Sequence, residues 1–169
     1  LSLSITDGDH QPPPKSKSGV PFITISNVNK QTRKIDFQNT FFVPESYYSN
    51  LKQQRKPKRG DILYTVTGSF GIPVLIDEDM AFCFQRHIAI IRPNKNVLSK
   101  WLYYALLSAS VFRQADKNAT GAAQRTVSLK TLRSIKVNVP TLEKQRQDCE
   151  KIKLIEERGS MNEIELAPS

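Results

Sequence analysis

The chain has 169 residues, which is enough for one domain with a hydrophobic core and a short appendage. Hydrophobic residues make up 38% of it, a low value for a globular protein, but they occur in organised runs that indicate a folded chain. No run approaches the ~18 consecutive apolar residues of a transmembrane helix, and the first ten residues lack the pattern of a signal peptide.

The formal net charge of +9 is unevenly distributed. Residues 1–140 contain 20 Lys and Arg against nine Asp and Glu, whereas residues 141–169 contain five against seven. A basic body favours a polyanionic partner, with nucleic acid first, although a surface that only confers solubility has the same composition. Two lone cysteines, Cys83 and Cys149, form no spaced metal set and are typical of a reducing cytoplasm, so we expect a cytoplasmic protein.

The first half of the chain predicts short strands separated by turns. Residues 19–28 form a predicted strand, and residues 34–43 predict a hairpin or two short strands. Residues 44–54 predict a short helix that opens at Pro44, which suits a first helical turn.

Further short strands are predicted around a glycine-containing loop. They cover residues 61–67, 72–76, 80–84 and 87–93. Together with the helices that follow, they predict an α+β fold with a twisted, mixed or antiparallel β-sheet and flanking helices.

The second half of the chain predicts helices. Residues 99–118 form the clearest one, with Ser99 as its N-cap and apolar residues along one face. Residues 128–135 predict a second, short helix capped by Ser128. The alternation of Ile135, Val137 and Val139 then predicts a strand.

Residues 140–158 predict the start of a spacer or dimerisation helix, with Pro140 before it and Thr141 as its N-cap. Its apolar residues follow a coiled-coil-like spacing and are Leu142, Cys149, Ile152 and Ile155. Because this seam is too thin to support an isolated helix, we expect it to dock on another helix, in this chain or in a second one.

Residues 159–169 form a predicted tail after the domain of residues 1–139 and its helix. The Gly-Ser-Met at its start is typical of a junction left by cloning, followed by a native start. The alternatives are that the true N-terminus is written last in the sequence, or that this is an ordinary disordered tail.

The sequence TVTGSFG at residues 65–71 places two glycines in a loop after a strand. Backbone amides of such a loop can approach a phosphate closely, but the sequence is neither a P-loop nor a dinucleotide fingerprint. On local evidence alone, a tight hairpin turn is the favoured interpretation.

The sequence ATGAAQRTVS at residues 119–128 combines small residues with an amide, a guanidinium group and hydroxyls. Gln124 can pair bidentately with adenine and Arg125 with guanine, or either can bind phosphate. The alternative is a surface loop with an incidental arginine.

The proline-rich segment at residues 5–19 carries two acids, a histidine and two lysines. Asp7, Asp9 and His10 are too local a set to support a metal site, and no second cluster follows. A stiff loop that presents His10, Gln11, Lys15 and Lys17 is the better interpretation. No catalytic triad and no methyltransferase cofactor motif is recognisable, so the sequence predicts a binding protein rather than an enzyme.

Several segments, in this order, resemble the target-recognition domains of type I restriction–modification specificity subunits. They are ITDGDHQPPP, FITISNV, KRGDILYTVTGSFG, WLYYALLSAS and TGAAQRTVSLKTLRSIKVNVPTLEKQRQ. The resemblance covers about residues 5 to 155 and departs from the family only in minor ways, such as VPTLEKQ where a second proline and Glu-Gln are common.

The resemblance implies a non-catalytic chain that binds double-stranded DNA and reads one half of a split target. It also implies docking to modification (methyltransferase) subunits, which use S-adenosylmethionine, and indirectly to restriction subunits, which use ATP and magnesium. The chain itself is expected to bind no cofactor or metal. One domain with one helix start corresponds to half a subunit, so the helix is expected to pair with another copy or with a second half.

The expected DNA-binding residues come from the predicted loops and turns: His10, Gln11, Lys15, Lys17, Lys30, Arg33, Thr67, Ser69, Arg86, Thr120, Gln124 and Arg125. Two other classes of function remain open at this point. One is a phosphate- or nucleotide-using enzyme built on the TGSFG loop, and the other is a protein-docking scaffold without DNA readout.

Overall fold

The computed structural model describes residues 4–165, with side chains as far as residue 159. The strands are β1 Ser4–Asp7, β2 Val20–Ile23, β3 Phe41–Val43, β4 Ile62–Thr65, β5 Pro73–Leu75, β6 Cys83–Phe84 and β7 Ile88–Arg92. The α-helices are α1 Glu45–Asn50, α2 Ser99–Leu106, α3 Ala109–Lys117, α4 Leu129–Ser134 and α5 Leu142–Glu165. Within these residues, no helix is both long enough and apolar enough to cross a membrane.

Two β-sheets form the centre of the molecule. The larger has the order β1–β7–β4–β5 with antiparallel pairs throughout, and the smaller has the order β3–β2–β6. In the smaller sheet β2 pairs antiparallel with β3 and parallel with β6, which confirms the predicted mixed α+β fold.

The central strands β4 and β7 are buried on both faces. Ile62 and Tyr64 belong to the core that faces the helices, whereas Leu63 and Ile90 belong to the core shared with Phe84 of the small sheet. Successive side chains of a strand point to opposite faces, so burial on both sides requires a continuous apolar run. The sequences ILYTV and IAII provide such runs.

The predicted strands around the glycine loop are confirmed, each somewhat shorter than expected, but residues 19–28 and 34–43 contain less strand than predicted. After β2, a 3-10 turn occupies Ile25–Asn27. The Asn27 side chain accepts a hydrogen bond from the backbone N–H of Thr24 at 2.9 Å and donates to the carbonyl of Asn39 at 3.1 Å. This amide satisfies backbone groups locally and so replaces strand pairing.

The predicted helix over residues 99–118 is divided into α2 and α3. Ser108 has extended backbone angles (φ −66°, ψ 146°), and its hydroxyl accepts a hydrogen bond from the backbone N–H of Val111 at 3.3 Å. Serine favours this capping geometry over the helix interior, so it ends one helix and begins the next. The predicted N-cap at Ser99 is also wrong, because Leu98 takes that position.

Residues 135–139 are extended but form no strand, contrary to the prediction. The side-chain amide of Gln114 donates to the carbonyl of Lys136 at 3.0 Å and accepts from its N–H at 2.9 Å. A side chain thus takes the place of a partner strand. The predicted alternation still holds for packing, because Ile135, Val137 and Val139 all lie against the helix-side core.

The helix predicted over residues 44–54 is present but ends at Asn50, with Pro44 as its N-cap, and the short helix predicted to be capped by Ser128 is confirmed. Pro44 immediately precedes α1, and the Ser128 hydroxyl caps α4 by accepting from the N–H of Thr131 at 3.1 Å. Thr141 caps α5, accepting from the N–H of Lys144 at 3.3 Å. Helix α5 continues to Glu165, so residues 159–165 of the predicted tail are helical, and residues 166–169 lie outside the described residues.

Asp61 and Arg92 form an ion pair at the end of β4 opposite the glycine loop. The Arg92 guanidinium donates to both carboxylate oxygens, at 2.8 and 2.7 Å, and to the carbonyl of Lys56 at 2.9 Å. The Asp61 side chain is 1% exposed and also accepts from the N–H of Lys58. The hydrogen bonds to Asp61 raise the pKa of Arg92. The pair therefore joins the end of β7 to the start of β4 and to the loop that precedes β4.

Replacing Arg92 with alanine should lower the free energy of unfolding by about 3 kcal/mol, because it leaves a buried carboxylate without its countercharge. Urea denaturation followed by circular dichroism measures this change. The exposed Lys95 supplies the control, since Lys95→Ala removes a nearby charge without a buried partner. Equal stabilities of the two variants would contradict the assigned role of the pair.

One buried glutamine fastens the start of helix α5 to the domain. Gln145 is 0% exposed, and its side-chain oxygen accepts from the N–H of Leu98 at 2.8 Å. Its amide group donates to the carbonyls of Asn96 and Pro140 at 3.0 and 2.9 Å. The three bonds join the helix to the start of α2 and to the segment before α5. One of these bonds satisfies the backbone N–H of Leu98, the N-cap residue of α2.

Replacing Gln145 with alanine should lower the free energy of unfolding by about 3 kcal/mol, because one N–H group and two carbonyls lose their hydrogen-bond partner in a partly buried site. Hydrogen–deuterium exchange should show faster exchange over residues 142–156 than in the rest of the domain. The exposed Gln147 on the same helix provides the control, Gln147→Ala. Unchanged protection of α5 in Gln145→Ala would argue against this anchor.

Candidate nucleic-acid interface

The loop of residues 119–127 is attached to the continuation of β4. The N–H of Val127 donates to the carbonyl of Val66 at 2.8 Å, and the N–H of Gly68 donates to the carbonyl of Arg125 at 2.9 Å. Thr67 and Thr126 face each other in this bridge, with their hydroxyl oxygens 3.4 Å apart. The two loops that the sequence analysis treated separately are therefore one structural unit.

Loop 119–127 is itself a tight hairpin. Thr120 and Thr126 exchange backbone hydrogen bonds of 2.9 and 2.7 Å across its base. Gly121 has φ 107°, and a Cβ atom at this position would lie 2.3 Å from the carbonyl oxygen of Gln124. Only glycine fits this conformation and this close approach. The hairpin presents the exposed side chains of Gln124 and Arg125 beside the glycine loop.

The glycine loop at residues 65–71 is a turn whose amides are largely occupied. The N–H groups of Gly68, Phe70 and Gly71 donate to the carbonyls of Arg125, Gly68 and Thr65, each at 2.9 Å. The Thr65 hydroxyl donates to the carbonyl of Ser69 at 2.8 Å. Because these donors already have partners, the loop does not form the row of free amides that cradles a phosphate. The hairpin-turn interpretation is the one that the geometry supports.

A cleft of about 330 Å³ opens beside these loops, where β1 and β4 end and β7 begins. We refer to it as the main cleft. It is lined by Asp7, His10, Val66, Thr67, Arg86, His87, Thr126, Val127, Ser128 and Leu129. Hydroxyl, imidazole and guanidinium groups thus share one concave surface, and such groups can bind phosphate oxygens or base edges.

Each acid near the main cleft has a cationic neighbour. His10 Nε2 lies 2.5 Å from Asp7 Oδ2, and the Arg55 guanidinium lies 3.8 Å from Asp7 and 3.6 Å from Asp9. Burial lowers the pKa of His87, and the nearby charge of Arg86 lowers it further, so His87 is neutral at pH 7. The described residues contain no grouping of three His, Cys, Asp or Glu able to hold a metal ion.

A second cleft of about 250 Å³ continues from the first along the proline-rich loop. His10, Gln11 and Arg86 line it together with Phe41, over whose ring the Lys15 ammonium lies at 4.8 Å. Lys17 is exposed farther along the same loop. The His10 and Arg86 side chains line both clefts, so the two clefts are continuous with each other.

The start of this loop is held close to the sheet. Gly8 is buried, and a Cβ atom there would lie 2.1 Å from the carbonyl oxygen of Phe84. The N–H of Asp9 donates to that same carbonyl at 3.0 Å, and the N–H of Arg86 donates to the carbonyl of Asp9 at 3.1 Å. This backbone pairing places His10 beside Arg86.

Lys30 and Arg33 lie elsewhere, contrary to the grouping expected from the sequence. Arg33 lines a groove of about 440 Å³ together with Ile76 and Glu78, beyond the end of β5 that is remote from the glycine loop. Lys30 is exposed in the same turn as Arg33. The structure therefore places the other expected contacts in the proline-rich loop and in the loops at one end of the large sheet, and it leaves these two at the opposite end.

Sequence reasoning missed several residues of this surface. Thr126 and Ser128 line the main cleft, and Ser128 was interpreted only as a helix cap. Phe70 stacks on Phe112 with ring centroids 5.7 Å apart, and Phe112 remains 44% exposed. The sequence alone carried no signal for this role of Phe112, because its exposure and its pairing across 42 residues both depend on the tertiary fold.

The apolar seam of α5 faces its own domain over the first three turns. Leu142, Cys149 and Ile152 are partly buried, and Ile152 lies in a groove with Trp101 and Tyr104 of α2. Ile155 is 69% exposed. The sequence left two docking partners open, and this part of the seam packs within the chain.

Polar contacts continue the attachment of α5 to α2. The Trp101 indole N–H lies 3.4 Å from Asp148, and the Tyr104 hydroxyl donates to Glu156 at 3.2 Å. Burial, followed by the charge of Glu156, raises the pKa of Tyr104 to about 12, so the Tyr104 hydroxyl stays a donor.

Cys83 and Cys149 are both free thiols.

The chain is thus a two-sheet domain whose loops gather at one end and to which a long helix is attached. The model of the family described as type I restriction modification DNA specificity domain matches residues 9–166. This match spans nearly the whole chain, and the chain therefore belongs to that family.

Two curated specificity subunits are similar in sequence. The MjaVIII subunit of Methanocaldococcus jannaschii is 29% identical over 146 residues, which covers 83% of this chain and 34% of that protein. The EcoBI subunit of Escherichia coli is 24% identical over 138 residues, which covers 81% of this chain and 28% of that protein. The chain thus spans about a third of the length of the curated relatives it matches.

A solved structure has the same fold. The HsdS subunit from Thermoanaerobacter tengcongensis superposes with a TM-score of 0.66 at 20% identity, covering 98% of this chain and 38% of that one. The confirmed fold therefore rests on both the chain's own topology and this structural likeness.

Replacing Gly121 with alanine should open loop 119–127, because the added Cβ collides with the Gln124 carbonyl and alanine disfavours the left-handed backbone. We expect limited proteolysis to cut this loop at least several-fold faster. Gly159→Ala is the matched control, since a Cβ there meets nothing within 4 Å. Equal cleavage rates in the two variants would show that the hairpin does not depend on Gly121.

Proposed function

We propose that this chain binds double-stranded DNA through the surface at the loop end of the large sheet and reads one half of a bipartite target. The observation that carries the proposal is the fixed attachment of loop 119–127 to β4 beside the main cleft. This attachment gives flexible polar side chains a rigid base. Membership of a DNA specificity family supports the same conclusion.

The surface combines the two kinds of contact that DNA recognition requires. Arg86, Lys15 and Lys17 supply positive charge, which gives salt-dependent affinity for any duplex. Gln124, together with the hydroxyls near the cleft, supplies hydrogen-bonding groups that distinguish bases by about 1–3 kcal/mol for each good contact. The proposed contact residues are His10, Gln11, Lys15, Lys17, Thr67, Ser69, Arg86, Thr120, Gln124 and Arg125, with Thr126 and Ser128 added.

The far part of α5 is the proposed docking element. Leu154 and Ile155 are 52% and 69% exposed, although they are large apolar side chains on a helix that otherwise packs on α2. We infer that this face pairs with a second copy or a second half-subunit and helps to seat modification subunits. Those subunits would use S-adenosylmethionine, and restriction subunits would use ATP and magnesium. The chain would contribute specificity rather than catalysis to a complex in the cytoplasm.

Selection from random duplex DNA at two salt concentrations tests the proposal. The purified chain is used alone and again with its modification subunit. Enrichment of a short motif supports target recognition, whereas salt-dependent binding without a motif would reduce the chain to a basic surface. Firm binding to the modification subunit without DNA binding would instead favour the scaffold function.

A pair of variants distinguishes the proposed surface from general basicity. Arg86→Ala should weaken DNA binding about three- to tenfold and reduce the slope of log K against log salt by about 1, because one phosphate contact is lost. Lys30→Ala removes the same charge at the opposite end of the sheet and should change affinity less than twofold. Fluorescence anisotropy with a labelled duplex measures both, and the reverse ranking would refute the assigned surface.

A further inference from the structure

The guanidinium group of Arg125 is held from two directions at the base of the hairpin. Its Nη1 donates to the carboxylate of Asp116 at 2.6 Å, and its Nη2 donates to the backbone carbonyl of the same residue at 2.6 Å. The guanidinium carbon also lies over the ring of Phe70, 5.5 Å from the centroid. An arginine at a loop surface thus has both an edge and a face fixed by the protein.

The aromatic support of Arg125 is itself anchored. Phe70 stacks on Phe112 with an interplanar angle of 10°. The Phe112 ring lies directly over Gly71, where an added Cβ would approach its ring carbons to 2.9 Å. The glycine loop and α3 therefore hold the stack on which the guanidinium rests. An arginine fixed in this way loses less conformational entropy when it makes a further contact.

Donor groups remain available on Arg125. A guanidinium group has five N–H donors, and Asp116 accepts from two of them. Among the described residues none accepts a hydrogen bond from Nε, and the side chain is 46% exposed. The edge that combines Nε–H with an Nη–H matches the O6 and N7 acceptors of guanine in the major groove.

We propose that Arg125 recognises a guanine of the DNA target, with Asp116 as the positioning residue that sets the direction of its free edge. This inference rests on the proposed function. It goes further because it assigns one base to one side chain. Asp116 acts only through Arg125, since a carboxylate so close to DNA would by itself repel phosphate.

The test is the selected motif of four variants, Arg125→Ala, Arg125→Lys, Asp116→Ala and the double alanine variant. Arg125→Ala should lose a preference for guanine at one position, a discrimination of roughly 5- to 150-fold. Arg125→Lys should keep most of its affinity but lose the same preference, because lysine lacks the planar fork. Asp116→Ala should weaken the preference at that same position, and the double variant should match Arg125→Ala.

Control measurements separate this role from folding and from bulk charge. Lys117→Ala removes an exposed charge from the same helix and should leave the motif intact. Thermal melting establishes whether each variant is folded. If an alanine variant does not fold, the loss of guanine preference in Arg125→Lys tests the assignment instead.

Three results would overturn the assignment. In the first, Arg125→Ala weakens binding to all duplexes equally, which identifies a phosphate contact. In the second, Asp116→Ala only strengthens binding without changing base preference, which identifies simple repulsion. In the third, the wild-type motif survives Arg125→Ala, which refutes this inference but not the proposed function. If the wild-type chain itself selects no motif, both the inference and the proposed function are refuted.

Discussion

The backbone pairing between residues 66–68 and 125–127 is the constraint on which the candidate interface depends. It extends the buried strand β4 into a region of small and polar residues and gives loop 119–127 a rigid base. Without it, the hairpin would be joined to the domain only through α3 and α4. The same pairing places Thr126 and Thr67 at the wall of the main cleft, so one set of hydrogen bonds shapes both features.

The opposite end of the large sheet has a structural role. There the buried pair of Asp61 and Arg92 fixes β4 and β7 to the preceding loop, and both faces of these strands are covered. A frame of this kind resists deformation because its core is closely packed and its buried charges are matched. Polar side chains in the loops at the other end can then vary in identity without disturbing the frame.

Gln145 connects this frame to α5. A neutral amide is suited to the position, because it offers both a donor and an acceptor to backbone groups that no strand or helix satisfies. Gln145 thus fixes the start of α5, and the contacts of Asp148, Ile152 and Glu156 with α2 continue along the helix. Leu154 and Ile155 lie two to three turns farther along, where the helix is exposed. A partner that binds there would be positioned relative to the loops at the main cleft.

Local patterns in the sequence determined three of the four strands of the large sheet, β4, β5 and β7, together with the caps at Ser128 and Thr141 and the order of motifs that identified the family. These depend on neighbouring residues, and the chain order preserves them. The remaining strand, β1, lies in a segment that was interpreted only as a proline-rich loop. The sequence could not determine that Gln114 replaces a strand partner at Lys136, that Lys30 and Arg33 lie away from the other cations, or that Arg125 rests on Asp116 and Phe70. Such contacts join residues distant in sequence, and only the packing of the two sheets and the helices brings them together.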